Sequence, residues 1–137
     1  MTTQAVTLHL PEHLYLRLQQ MAQATHQSFD EVLLRAIQVG SPPSWEDAPA
    51  AFQMDLAALD RLDDDALWRI ARSRQTEADM VRYQELLDRN TNDTISDTER
   101  AELARLRTEA DRFMLCKVHA AALLRWRGYN IPPADTL

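Results

Sequence analysis

Oxygen-bearing side chains are concentrated in one polar segment, residues 88–99, whose sequence is DRNTNDTISDTE. Asp88, Asn90, Asn92, Ser96 and Glu99 fall at the first, third, fifth, ninth and twelfth positions, which carry ligands in an EF-hand calcium loop. The sixth position, where the sharp turn needs glycine, is an aspartate. A helix-capping box formed by Ser96 and Glu99 would explain half of the match. We therefore favour a polar loop between two helices over a calcium site.

Histidine, cysteine and arginine side chains give no catalytic or metal-binding pattern. Cys116 and His119 lie one helical turn apart, but two ligands do not make a metal site. The sequence has no nucleophile elbow and, with two glycines, no glycine-rich phosphate loop. We expect no enzyme activity, no metal and no cofactor. Some arginines could contact DNA backbone or an acidic partner, although solvated helix faces are the commoner explanation. These are Arg69, Arg72, Arg74, Arg125 and Arg127.

Composition favours a cytoplasmic protein without a membrane segment. The 137 residues are 45% hydrophobic and 26% charged, enough for one domain or two small ones. The single cysteine permits no intrachain disulfide, as is typical of a reducing cytoplasm. No apolar run approaches the roughly 20 residues of a membrane span, and no signal peptide follows Met1. The net charge of -6 is opposite in sign to that of a dedicated nucleic-acid binder.

The beginning of the chain alternates between apolar and polar residues, which predicts a short strand. One face would carry Val6, Leu8 and Leu10, and the other Ala5, Thr7 and His9. Pro11 ends the strand, because it has no N–H for a ladder, and can open a helix. A lone strand has two unpaired edges, so we expect a second copy of the chain to pair with it in a homodimer.

Two short helices are predicted after this strand. The first runs from about Pro11 to Thr25, and His26 follows at a position that favours positive φ. Ser28 begins the second helix with a capping box, and Gly40 ends it as a left-handed cap. The apolar positions of strand and helices form the expected dimer core. They are Val6, Leu8, Leu10, Leu14, Leu18, Val32, Leu33 and Ile37.

Residues 5–40 resemble the ribbon-helix-helix repressors, the family of Arc and MetJ, in their alternating strand, the proline after it and two amphipathic helices. The resemblance implies that paired strands form a ribbon whose outward side chains enter the DNA major groove. Transferred by position, the outward residues are Ala5, Thr7 and His9. The first turn of the second helix, at Ser28 and Phe29, would offer backbone N–H groups to a phosphate.

The rest of the chain is predicted to be helical. Residues 41–51 contain three prolines and form a linker or irregular wrap, in which Trp45 would pin the segment to a neighbouring surface. Residues 52–130 lack glycine and proline before Gly128. Their periodicity predicts helices over 54–62, 63–89 and 96–127, of which the two longest form an antiparallel hairpin. Residues 131–137 form a tail. The fold class is thus mainly α: a ribbon-helix-helix dimerisation module (1–40) followed by a long helical hairpin.

Two functions remain open on the sequence. The resemblance implies a dimeric regulator or antitoxin-like protein, whose ribbon reads operator DNA while residues 52–130 bind a protein partner such as a toxin. The charge pattern favours a scaffold in which the ribbon serves dimerisation alone. Before Pro42 the fixed positive charges are Arg17 and Arg35, and DNA affinity depends heavily on neutralising phosphates.

Overall fold

The computed structural model describes residues 2–133, so residues 134–137 of the predicted tail and Met1 lie outside the described range. The chain divides into two compact units, Met1–Ser41 and Pro42–Leu137. It is mainly helical, as predicted, with six α-helices among the described residues. They are α1 (Glu12–Thr25), α2 (Phe29–Gly40), α3 (Ala50–Leu59), α4 (Asp64–Ala71), α5 (Glu77–Thr91) and α6 (Asp97–Trp126).

The predicted strand over residues 5–10 is not seen: residues 2–10 have no regular secondary structure. A β-strand exists only when a second strand accepts and donates its ladder hydrogen bonds. The described part of this single chain contains no other strand to do so. The two helices predicted for the first unit are present, but its predicted ribbon is not seen, so the ribbon-helix-helix fold is not confirmed.

Helix α1 is bounded by Pro11 and His26. The carbonyl of Pro11 accepts hydrogen bonds from the N–H groups of Leu14 and Tyr15, which starts the first turn. His26 ends the helix in the left-handed conformation, with φ 56° and ψ 38°. The next N–H, of Gln27, then reaches back to the carbonyl of Ala22 at 3.0 Å. The positive φ predicted at His26 is confirmed.

Helix α2 begins as predicted but ends differently. The Ser28 hydroxyl accepts from the Glu31 N–H at 3.1 Å, and the Glu31 carboxylate accepts from the Ser28 N–H at 3.3 Å. The left-handed cap predicted at Gly40 is wrong, because Gly40 is the last helical residue and Ser41 caps it with φ -74°. The Ser41 hydroxyl donates to the Ile37 carbonyl at 2.5 Å, so a side chain satisfies the helix end without a left-handed residue.

The second unit is built along α6, a helix of 30 residues, or about 45 Å. Helices α3, α4 and α5 all pack against it. One core cluster joins α3, α4 and the C-terminal half of α6, and a smaller one joins α5 to the N-terminal half. The first cluster consists of Leu56, Leu59, Leu67, Ala71, Ala120, Leu123 and Leu124, and the second of Leu86, Leu103 and Leu106.

The single long helix predicted over residues 63–89 is wrong. It is divided into α4 and α5, and residues 72–76 separate them. The break has a local cause, because the Thr76 hydroxyl accepts from the Asp79 N–H at 3.2 Å and starts a new helix. Lys117 of α6 fixes the preceding turn by donating to the Ser73 carbonyl at 3.0 Å. The hairpin therefore has one long arm, α6, and a second arm made of two helices.

Both helices of the divided arm run antiparallel to α6. Near the α5 end of the arm, the Arg82 guanidinium donates two hydrogen bonds to the Glu102 carboxylate, at 2.9 and 2.8 Å. At the opposite end, Arg127 Nη1 donates to Asp64 Oδ1 at 2.8 Å. None of the helices within residues 2–133 is both long and apolar enough to cross a membrane.

Candidate functional site

The N-terminal unit leaves most of its large apolar side chains in solvent. Val6 is 86% exposed, Leu8 64% and Ile37 52%. Among the described residues of this unit, the buried hydrophobic ones are Ala22 and Val32. A unit of about 40 residues with so small a core is too small to be stable without further support. Its exposed apolar surface is the first candidate for an interface.

The predicted dimer-core positions of this unit differ in their exposure. Val32 is buried, Leu10, Leu18 and Leu33 are half-buried, and Leu14 is 40% exposed. Val6, Leu8 and Ile37 are exposed as well. Seven of the eight predicted positions therefore retain surface that a second molecule could cover.

One cavity of about 490 Å³ is lined by some of the residues predicted to bind DNA and some of those predicted to bind a second subunit. Thr7, His9 and Phe29 contribute to its lining together with Leu8 and Leu33. Sequence reasoning missed Tyr15, which also lines it and whose ring lies 5.1 Å from that of Phe29, centroid to centroid.

The predicted DNA contacts are unequally available. Ala5, Thr7 and His9 are all exposed. The Ser28 N–H, a predicted phosphate donor, is already bonded to the Glu31 carboxylate. The Phe29 N–H has no acceptor among residues 2–133, so the positive end of the helix dipole retains a donor there.

A polar cluster that sequence reasoning missed lies in the second unit. Asp60, at the end of α3, accepts from Trp45 Nε1 at 2.9 Å and contacts His119 Nε2 at 2.8 Å. The His119 side chain is buried, and Trp45 is half-buried against the core. Trp45 therefore holds its proline-containing segment against α3. No local pattern links residues so far apart in sequence.

A second polar cluster fastens the end of α6 to the beginning of α4. Asp64 accepts from the Tyr129 hydroxyl at 2.5 Å and from Arg127 at 2.8 Å. These two hydrogen bonds, with the Tyr129 bond the larger cause, hold the pKa of the Asp64 carboxyl below its ordinary value. The Asp64 carboxylate in turn raises the pKa of Tyr129.

The arginines singled out in the sequence have separate surroundings. Arg127 is engaged with Asp64, and the Arg72 guanidinium lies 4.4 Å from the centre of the Trp68 ring. Arg69 lines the same surface as Trp68 and Arg72, but Asp63 and Asp65 line it too. The carboxylates balance the guanidinium charges, so this surface has no excess of positive charge for a phosphate backbone.

Cys116 has the environment of a structural thiol. It is half-buried, and burial raises its pKa, with Asp55 adding to the effect. A raised pKa lowers the fraction of thiolate, which is the nucleophilic and metal-binding form. Among the described residues, no group of three or more histidine, cysteine, aspartate or glutamate side chains is placed to hold a metal ion.

The segment 88–99 covers the last turn of α5, the short connection after it and the first turn of α6, and its capping box is confirmed. The Glu99 N–H donates to the Ser96 hydroxyl at 3.1 Å, and Glu99 Oε1 accepts from the Ser96 N–H at 3.1 Å. Glu99 Oε2 is paired with Arg89. Both carboxylate oxygens of Glu99, the twelfth-position ligand of an EF-hand loop, are thus engaged. At the sixth position, where that loop needs glycine, Asp93 has a φ of 57°.

Fold and site together define a mainly helical protein: a two-helix N-terminal unit with exposed apolar surface, and a four-helix second unit with its own core. Comparison with protein-family models, with curated proteins and with solved structures found no match.

Proposed function

We propose that the protein is a homodimeric ribbon-helix-helix regulator or antitoxin-like protein. Its ribbon would bind operator DNA in the major groove, and its helical second unit would bind a protein partner. The observation that carries this proposal is the exposed apolar surface of the N-terminal unit, above all Val6 and Leu8 within the unpaired segment 2–10.

A second copy would satisfy two requirements of this unit at once. Antiparallel pairing of residues 5–10 about a two-fold axis supplies the missing backbone partners. The same pairing places Val6, Leu8 and Leu10 of both copies against the helices, where α1 and α2 leave Leu14 and Ile37 uncovered. Both the polar backbone and the apolar side chains of the unit favour the same partner.

Pairing would leave Ala5, Thr7 and His9 on the outer face of the ribbon, where Thr7 and His9 can hydrogen-bond to base edges. At the start of α2, the available Phe29 N–H supports a phosphate contact that fixes the ribbon's position. The dimer would present each of these groups twice, at sites related by its symmetry axis.

Gel-shift titration with fragments of the protein's own promoter tests DNA binding. Replacement of Thr7 and His9 together by alanine should weaken binding about tenfold or more, since base-edge contacts are lost in both copies. A matched double replacement, His13→Ala with Thr108→Ala, removes the same residue types from exposed helix positions and should leave binding unchanged. Equal binding by both variants would contradict the assignment of the outward face.

Salt dependence adds a second test of the regulator proposal. With Arg17 and Arg35 in each copy, a dimer has at most four guanidinium groups in this unit. Four ionic contacts correspond to a loss of about 100-fold in affinity between about 50 and about 200 mM salt. A much steeper dependence would place the DNA contact in the second unit instead.

A scaffold role is the second candidate, and the charge distribution favours it. The net charge is -6, and the first ten residues contain neither lysine nor arginine. In this role the ribbon would join two copies, and the second unit would present the working surface. A dimer that binds none of the promoter fragments at low salt would establish the scaffold over the regulator.

A further inference from the structure

The second unit contains a groove between α5 and α6 that the proposed DNA-binding role does not use. Its volume is about 530 Å³, within the range of pockets that hold small organic molecules. Apolar and aromatic side chains from both helices line it. They are Met80 and Tyr83 of α5 and Leu106, Ala110 and Phe113 of α6.

The groove lies where the packing between the two helices ends. Leu86, Leu103 and Leu106 close the interface toward the loop of the hairpin, and Leu86 is fully buried. Beyond Leu106 the α6 position facing the groove is the small residue Ala110, and Met80 of α5 remains 55% exposed. A gap lined by apolar side chains therefore persists over the first two turns of α5.

One carboxylate in the lining of the groove, that of Asp79, is available to a positively charged ligand group. Its lining includes two carboxylates, Asp79 and Glu109, and one guanidinium, Arg74. Glu109 is ion-paired at 2.9 Å to Arg105, which does not line the groove. Within residues 2–133, the Asp79 carboxylate forms no hydrogen bond or ion pair. Asp79 therefore has its full acceptor capacity available at the edge of an aromatic surface.

We propose that this groove binds a small organic cation with an apolar body, such as an arylalkyl amine. The apolar body would lie among Met80, Tyr83 and Phe113, and the ammonium group beside Asp79. Aromatic faces attract cations through their quadrupole, and a carboxylate attracts the same charge. The inference concerns the second unit alone, so it stands whether or not the N-terminal unit binds DNA.

Three probes of nearly equal shape separate charge from hydrophobicity: 2-phenylethylamine, 2-phenylethanol and phenylacetate. Binding to the full-length protein, with its methionine methyl groups labelled with carbon-13, is followed by NMR. We expect 2-phenylethylamine to bind about five- to tenfold more tightly than the alcohol, and phenylacetate most weakly. The Met80 signal should shift, whereas Met54, which is 85% exposed on α3, provides an internal control.

Two variants locate the site. Asp79→Asn should remove the advantage of the amine over the alcohol, whereas Asp65→Asn, in the first turn of α4, should retain it. Ala110→Trp should fill the groove and abolish binding of all three probes. Equal affinities for the three probes would overturn the proposal. So would a Met80 shift that depends on protein concentration alone, since a second copy would then occupy the groove.

Discussion

Replacing Leu8 by alanine should dissociate the proposed dimer without unfolding the second unit. The change removes three carbon atoms, each contributing about 0.8 kcal/mol when buried, or about 2.4 kcal/mol for a fully buried side chain. Leu8 is already one-third covered in the single chain, since its exposed fraction is 64%. Association would therefore lose about 1.6 kcal/mol per copy, and two copies about 3 kcal/mol.

A loss of this size raises the dimer dissociation constant about 100-fold. Sedimentation equilibrium over a range of protein concentrations measures it, with circular dichroism as a check on helix content. Thr7→Ala is the matched control, because Thr7 is the adjacent residue on the opposite face of the predicted strand. It should leave association unchanged. A wild-type protein that sediments as a monomer at micromolar concentration would refute the reasoning, as would equal association by both variants.

Three further predictions concern the second unit. Leu67→Ala, at a fully buried position, should lower the free energy of unfolding by about 2–5 kcal/mol in a urea titration. Trp45→Phe keeps an aromatic ring but removes its N–H donor, and should cost about 1 kcal/mol in the same assay. The pKa of Asp64 is lowered by Tyr129 and Arg127. The stabilisation that its carboxylate gives the folded protein is therefore present above the ordinary pKa of 3.8, and it is lost as the pH falls through the pKa of the folded state. Asp64→Asn should therefore destabilise the protein at neutral pH, and the difference from wild type should shrink in urea titrations at progressively lower pH.

The Leu67 and Asp64 predictions each have a control within the same unit. Met54→Ala, at an 85% exposed position, should leave the free energy of unfolding nearly unchanged. Asp65→Asn, beside Asp64 in the first turn of α4, should show no comparable dependence on pH. If the Asp64 and Asp65 variants lose stability equally at every pH, the helix dipole rather than the Tyr129 and Arg127 contacts accounts for the effect.

Features determined within one helical turn could be predicted from the sequence. The capping boxes at Ser28 and Ser96 depend on side chains three residues apart, and both are present. His26 could be placed at positive φ because the helix must end before Ser28 begins the next one. The same local logic failed at Gly40, where the neighbouring serine provided an alternative cap. It also failed before Thr76, whose capping role was overlooked without a glycine or proline to mark the break.

Features that join distant residues could not be predicted in this way. The Trp45–Asp60–His119 cluster connects three segments, and each residue has an ordinary local context. The groove between α5 and α6 depends on where interhelical packing ends, which follows from the relative position of the helices rather than from either sequence alone. Periodicity identified Leu106 and Phe113 as apolar helix positions, but it did not distinguish a groove wall from a core.

The two units obtain their stability from different sources, which bears on how the protein could act. The second unit buries residues from all four of its helices, including Leu67, Leu86 and Leu124 without measurable exposure. The described part of the first unit buries Ala22 and Val32 while Val6 and Leu8 remain in solvent. The second unit thus has a core of its own, whereas the described part of the first leaves most of its apolar surface for a partner to cover. In the proposed dimer, association would pair residues 5–10, where DNA contact is proposed. A change in the fraction of dimer would then change DNA contact without unfolding the second unit.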